Sequence, residues 1–330
     1  MARRSEFQQI ADLFAPLAAS APGALGLKDD AALLVPPAGQ QLVVTVDAIL
    51  SGVHYLPDDP PDLVARKLVR VNLSDLAAMG ATPAGMLLAC AFPRDCSDAW
   101  VEAFAAGLAL DVVEFGCPVI GGDTVATPGP ATFSLTALGW APMGQALLRR
   151  GAKAGDLIAV TGTIGDGAVG LWAAQGRLTG LGVPEDACAA LAARYHLPQP
   201  RLVIGQALRG LASAAMDISD GLVQDLGHVC AASGVCAEIR LEAVPLSAAL
   251  QVAREHTHIA DELVLTGGDD YELLLTIPPE NWPEVEARLG PLAPTVIGLC
   301  REDDSAAETV RVLDRQGQPM QLAATGWQHF

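Results

Sequence analysis

The sequence has no apolar run approaching the roughly 18 residues of a membrane-spanning helix. Its longest, around Gly85 to Phe92 (GMLLACAF), is strand-sized, although 51% of the residues are hydrophobic. That excess implies a large core and a buried subunit interface. The N-terminus, MARRSEFQQIADLF, is basic for two residues and then amphipathic. No signal-like apolar stretch follows, so the expected location is cytoplasmic. Basic residues are scarce: 20 Lys and Arg against 38 Asp and Glu, a formal net charge of −18. With no basic stripe, nucleic acid is excluded as a partner, as is a membrane. The seven cysteines form no C-x-x-C pair, so they are expected to be free, buried thiols rather than a disulfide frame or zinc site. A P-loop is missing too. The six histidines show no metal-ligand spacing, and no Ser/His/Asp or Cys/His nucleophile arrangement stands out.

What the chain has is aspartate, placed where strand-like runs end or turns begin. Asp29 and Asp30 lie in GLKDDAALL, Asp47 closes LVVTVD and Asp75 sits in VNLSDLAAMG. Asp123 closes PVIGGDT, Asp217 and Asp220 lie in MDISDG, and Asp269 and Asp270 in LTGGDDYE. Carboxylates gathered about 5 Å apart repel by roughly 3 kcal/mol at an effective dielectric near 20. Hard divalent cations are the usual compensation, and magnesium commonly arrives with substrate phosphates.

At 330 residues the chain suits two domains. The Gly-, Pro- and Arg-containing stretch 141–156 (APMGQALLRRGAKAGD) places the boundary near residue 148, giving domains 1–148 and 149–330. Patterning predicts an opening helix (6–17), strands at 41–46, 86–92 and 132–140, and helices at 62–79 and from Ser97 to Phe115. In the second half it predicts strands at 157–161, 237–241, 271–277 and 295–299, with helices at 201–212 and 222–232. This alternation indicates α/β or mixed α+β layers.

Two motifs admit a plain reading beside a chemical one. Gly165-Asp-Gly167-Ala-Val-Gly170 matches the dinucleotide fingerprint, but the acids about 20 residues on, Glu185 and Asp186, follow Pro184 in a turn-like stretch instead of ending a strand, which favours reading the glycines as a tight strand-to-helix turn. In Asp217-Ile-Ser-Asp220-Gly221, Ser219 or Asp220 could cap a helix, or the loop could offer oxygens to a metal and N–H groups to phosphate. His54 could be a solvated loop residue, and Trp327 either a tail anchor or a stacking surface.

Taken together, GLKDDAALL, TVDAILSGVHYLPD, VNLSDLAAMGATPA, IGGDT, DISDGLVQDLGH, GGDDYEL and the terminal GWQHF resemble the thiamine-monophosphate kinase family, nearly end to end. Its superfamily includes aminoimidazole ribonucleotide and selenophosphate synthetases. The resemblance implies a two-domain PurM-like α/β fold, with N-terminal domains paired across a homodimer. It implies transfer of the ATP γ-phosphoryl group to thiamine monophosphate with several Mg2+ ions. It assigns Asp30, Thr45, Val46, Asp47, Asp75, Asp123, Asp217 and Asp220 to metal. Gly122, Asp123, Arg149 and Ser219 fall to ATP, and His54, Asp269 and Trp327 to substrate. Asp47, Asp220 and Arg149 carry the catalytic role. Three positions depart from the family pattern. Lys28 stands where a small residue is usual, Val46 offers only its backbone carbonyl, and Asp269 is one methylene shorter than the usual glutamate. A selenophosphate synthetase would carry a cysteine near the N-terminus, whereas the first here is Cys90. An acidic cation-binding module would leave Arg149 and His54 without a role.

Overall fold

The computed structural model describes residue 4, residues 6–303 and residues 309–327. The last three residues of GWQHF lie outside them. The chain divides into two compact units, one of residues up to Leu76 with Ala81–Gly144, the other of Ala77–Gly80 with residues from Gln145 on.

The N-terminal unit opens with a single helical turn, α1 (Glu6–Gln9), followed by a π-type turn at Ile10–Phe14 and a 3-10 turn at Ala15–Ala18. The continuous helix expected over 6–17 does not form. Pro16 lacks the N–H that an α-helical turn would use and its ring crowds the preceding turn. Strand β1 (Gln40–Leu50) then leads to helix α2 (Pro61–Ala78), strand β2 (Thr82–Pro93) and helix α3 (Asp98–Phe115). Ser97 caps α3 by accepting the Trp100 N–H (3.2 Å), and Gly116 closes it with φ 62°. Strands β3 (Val119–Thr127) and β4 (Thr132–Pro142) complete a mixed sheet ordered β1-β4-β2-β3, with only the β2–β3 pair parallel.

Alternation along β1 divides this sheet into two faces. Val43 and Ile49 turn inward with Met86, Leu88 and Phe92 of β2, where Phe92, Phe104 and Phe133 pack ring on ring. Helix α2 is buried nearly all round. The fully buried Arg70 is satisfied by Asp111 of α3 through two hydrogen bonds of 2.8 and 3.0 Å.

In the second unit strands β5 (Leu157–Val160), β6 (Ala214–Asp217), β7 (Val235–Arg240), β8 (Leu273–Ile277), β9 (Thr295–Glu302) and β10 (Val310–Leu313) form a sheet ordered β10-β7-β9-β5-β8-β6. Only β10–β7 is parallel. Its helices are α4 (Asp166–Ala174), α5 (Glu185–His196), α6 (Leu202–Ala207), α7 (Leu222–Ser233), α8 (Ala248–His256), α9 (Asp261–Thr266) and α10 (Trp282–Leu289). Glu185 and Asp186 occupy the first turn of α5, where acids complement the helix dipole, not a turn as expected. The helix expected over 201–212 stops at Ala207, and Gly210 at φ 76° turns the chain toward β6. Both sheets are mixed, as α/β with mixed layers requires. All seven cysteines are free, and burial pushes the Cys117 and Cys230 thiols up to about 12, which leaves them inert at neutral pH.

Candidate active site

In the N-terminal unit, strand period places Thr45 and Asp47 on one face of β1, and helix period places Asn72 and Asp75 one turn apart on α2. The two elements grip each other through these residues. Thr45 Oγ1 donates to Asp75 Oδ2 (2.5 Å), and the Asp47 N–H donates to Asn72 Oδ1 (3.0 Å). Asn72, fully buried, donates its Nδ2 to the Leu68 carbonyl (2.9 Å) and so cannot rotate freely. Val46 turns its side chain to the opposite face, 60% exposed. Just beyond β1, His54 Nδ1 accepts the Leu50 N–H (3.2 Å), which places the imidazole proton on Nε2.

A cavity of about 460 Å3 in the same unit is lined by Asp29, Asp30, Gly121, Gly122, Asp123 and Thr124 on its polar side, and by Phe14, Leu27, Ile120 and Leu138 among its apolar contacts. Asp29 Oδ1 accepts the Asp30 N–H (3.1 Å), and Asp123 Oδ1 accepts the Thr124 N–H (2.9 Å). Lys28 is exposed. Gly122 is required by the sheet itself, since a Cβ there would lie 2.0 Å from the Leu88 carbonyl oxygen.

The second unit gathers three loops. Asp217 ends β6 and is buried, and Ser219-Asp220-Gly221 follow it into α7. The GGDDYE loop is laced to this turn. The Asp269 N–H donates to the Ser219 carbonyl (2.9 Å), the Tyr271 N–H to the Ile218 carbonyl (2.8 Å), and the Ile218 N–H to the Glu272 carbonyl (2.9 Å). Asp269 and Tyr271 take positive φ, 70° and 51°, a left-handed geometry sparsely populated by non-glycine residues. The C-terminal segment joins them: the Trp327 N–H donates to the Asp220 carbonyl (2.9 Å), and Gln224 Nε2 to the Trp327 carbonyl (2.9 Å). Asp217, Ser219, Asp220, Asp269 and Trp327 therefore form one neighbourhood, and Trp327 is 58% exposed.

Two carboxylates without an assigned role hold these loops. Asp225 Oδ2 accepts the N–H groups of Ser219, Asp220 and Gly221 (3.0, 3.1 and 3.2 Å). Asp270, buried to 1% exposure, accepts those of Gly165 (2.8 Å) and Gly167 (2.9 Å). Burial, only partly opposed by those N–H groups, pushes Asp225 up to about 7 and Asp270 up to about 8. The N–H groups expected to meet phosphate at the Ser219 turn are thus occupied from within. The same holds at the G-x-G-x-x-G turn. Its other glycine serves packing: a Cβ on Gly170 would lie 2.3 Å from the Leu191 carbonyl oxygen. Beneath the loop the fully buried Glu272 is paired with Arg194 (2.8 Å) and Arg201 (2.5 Å) and accepts the Thr161 hydroxyl (2.6 Å). Asn72, Asp225 and Glu272 were outside the expected set, and Asp270 was marked by the aspartate pattern without a role. The one hint for Asp225 was its place on the first turn of a helix that opens with glycine.

The Arg149 carbonyl accepts Ser233 Oγ (3.5 Å) at the C-terminal end of α7, and the neighbouring Leu148 carbonyl accepts the Ala215 N–H (2.9 Å) of β6, two residues before Asp217. The Arg149 side chain is exposed. Among the described residues, no three His, Cys, Asp or Glu side chains come together as a ready-made metal site. Thr45 and Asp75, which are hydrogen-bonded, Asp47 on the same face of β1, and Asp217 and Asp220, three residues apart at the end of β6, offer hard oxygen donors only. Such donors fit magnesium, which is commonly held by one or two carboxylates plus water and substrate phosphates.

Residues 28–141 match the family model described as AIR synthase related protein, N-terminal domain, and residues 153–311 the corresponding C-terminal domain. Thiamine-monophosphate kinase of Caulobacter vibrioides is 42% identical over 98% of this chain and 91% of its own. That of Escherichia coli K12 is 44% identical over 93% of this chain and 92% of its own. Among solved structures, thiamine-monophosphate kinase from Stenotrophomonas maltophilia K279a superposes with a TM-score of 0.78 at 38% identity, covering 91% of this chain and 96% of that one. AaThiL complexed with AMPPCP and TMP also gives 0.78, at 34% identity, covering 92% and 91%. On these grounds the chain belongs to the thiamine-monophosphate kinase family, with the AIR-synthase-related, PurM-like fold.

Proposed function

We propose that the chain transfers the ATP γ-phosphoryl group directly, in line, to the phosphate of thiamine monophosphate, yielding ADP and thiamine diphosphate. The carrying observation is the neighbourhood of Asp217, Ser219, Asp220, Asp269 and Trp327, whose backbones are hydrogen-bonded into one loop cluster that includes an exposed tryptophan suited to stacking on an aromatic ring. The acceptor needs no general base. A phosphate monoester has its second pKa near 6 and is already mostly dianionic at neutral pH. The barrier is repulsion between the acceptor's phosphate dianion and the ATP triphosphate, sharpened by a protein of net charge −18. Magnesium ions, when bound, would supply charge neutralisation and a template for the phosphates. In the N-terminal unit Thr45, Asp47 and Asp75 would hold them, with the Val46 carbonyl beside. Asp30 and Asp123 would do so at the cavity, and Asp217 and Asp220 in the second unit. With the N–H groups of both glycine turns occupied, metal-held phosphates are the arrangement these loops favour.

Gly122, Asp123 and Ser219 are assigned to the nucleotide. Arg149 is assigned to the nucleotide and, with Asp47 and Asp220, to catalysis. His54, Asp269 and Trp327 are assigned to the thiamine substrate. Homodimerisation is supported by the open face of the N-terminal sheet, where Leu42, Val44 and Val46 of edge strand β1 are exposed on the same face as Leu87 and Val125. A cytoplasmic site of action accords with two phosphorylated, charged substrates that do not cross a bilayer unaided.

The test is formation of ADP and thiamine diphosphate from ATP and thiamine monophosphate. Asp47→Asn or Asp220→Asn should each lower kcat/KM by about 100-fold or more. No turnover by the parent protein at saturating magnesium would refute the reading.

A further inference from the structure

The Ser219-Asp220-Gly221 turn is oriented by hydrogen bonds on both sides. Its three consecutive N–H groups converge on Asp225 Oδ2, at 3.0, 3.1 and 3.2 Å. Its carbonyls point the other way: Ser219 accepts from Asp269, and Asp220 from Trp327. Gly221, at φ 126°, passes so close to α9 that a Cβ would lie 2.7 Å from the Thr266 carbonyl carbon. Three successive N–H groups at the start of a helix form an arrangement that ordinarily attracts a phosphate or another anion. Here an internal carboxylate, fully buried on the first turn of α7, stands in the anion's place. Its other oxygen, Oδ1, is buried with no hydrogen-bond partner, so the residue's polar contacts serve the turn alone.

We propose that Asp225 is a positioning residue for phosphoryl transfer: it acts as a built-in anion that withholds the turn's N–H groups from substrate phosphate and aims the Asp220 carboxylate at the metal. The proposal rests on the reading of Asp220 as a metal ligand. A carboxylate suits this role better than an amide. One oxygen must take three donors, and the ionised form of a carboxylate accepts them more strongly than a neutral amide carbonyl does. Asparagine preserves the shape and removes the charge, so the turn should keep its fold and lose its aim.

The experiment measures the Mg2+ concentration for half-maximal turnover, at saturating ATP and thiamine monophosphate, for the parent, Asp225→Asn and Asp220→Asn proteins. Residues that orient a metal ligand typically contribute 10–100-fold to metal affinity. Asp225→Asn, melting near the parent temperature, is therefore expected to raise the Mg2+ midpoint about 10-fold or more, a shift that general loosening of the fold would not confine to magnesium. If Asp220→Asn leaves the midpoint where it was, the metal reading of Asp220 falls and the proposal with it. If Asp220→Asn shifts it and Asp225→Asn does not, the proposal alone is overturned. Should Asp225→Asn fail to fold, amide hydrogen exchange of the parent protein decides. Slow exchange at Ser219, Asp220 and Gly221 supports the built-in anion, and exchange at the rate of an open loop overturns it.

Discussion

Asp269 and Asp270 are neighbours of identical chemistry whose surroundings separate them. Asp269 stands in the loop at positive φ, with Tyr271 Oη 3.4 Å from its Oδ1, while Asp270 is turned into the protein to bind the Gly165 and Gly167 N–H groups. Burial raises Asp270 from 3.8 to about 8, so the folded protein holds a proton that the unfolded chain has released. Stability from this group is complete below about pH 4, is lost as pH rises toward 8, and is level above that. The expected outcome is a melting temperature, measured without metal or substrate, that falls between pH 5 and 8.5. In Asp270→Asn that slope should be reduced by the equivalent of a few kcal/mol, since each tenfold change in proton affinity is worth roughly 1.4 kcal/mol. An unchanged slope in the variant would show that Asp270 does not carry the effect. Sequence pattern marked both aspartates through the glycines before them, and nothing in the pattern said which one would face inward.

At the scale of elements, the spacing of strands positions the candidate ligands. Asp123 follows Gly122, whose backbone lies against Leu88 of β2, and Asp47 follows Thr45 on β1, which α2 grips through Asn72 and Asp75. Gly122→Ala would push β3 away from β2 and carry Asp123 with it. The expected cost is about 1–3 kcal/mol of stability, typical of overpacking, read as a lower urea midpoint, together with a raised KM for ATP. A variant with parent stability would show that β3 can shift freely. Most strands are legible from alternation and β-branched content, and the α3 boundary from Ser97 and Gly116. The opening helix is not, because amphipathic spacing from Glu6 to Leu17 conceals the effect of Pro16, which interrupts the hydrogen-bond ladder. Glu185 and Asp186 mislead for a related reason: Pro184 reads as a turn, yet proline also suits the start of a helix.

For the whole molecule, the open face of the N-terminal sheet bears on assembly. In a twofold interface each substitution acts twice. Val44→Asp would bury two carboxylates without partners in the proposed dimer, weakening association by about 100-fold or more. Sedimentation should then show a monomer at concentrations where the parent is a dimer, and equal masses for the two proteins would overturn this choice of face. The described residues contain no helix long and apolar enough to cross a membrane.

The order and wording of the motifs, from GLKDD to GGDDYE, were enough to establish the family, because they record residue types that the chemistry demands in sequence. The acidic balance was likewise enough to point toward cations as the means of handling phosphate. The roles of individual aspartates were not contained in the string. Asp220 and Asp225 lie five residues apart, and Asp269 and Asp270 side by side. What marks the loop-holding Asp225 and Asp270 is that each gathers two or more backbone N–H groups from its neighbouring turns. That is set by how the backbone turns are packed, for Asp270 by a segment more than 100 residues away. The aspartate-rich pattern therefore marks two populations: carboxylates for ligands, and carboxylates standing in for ligands so that the first are held in place.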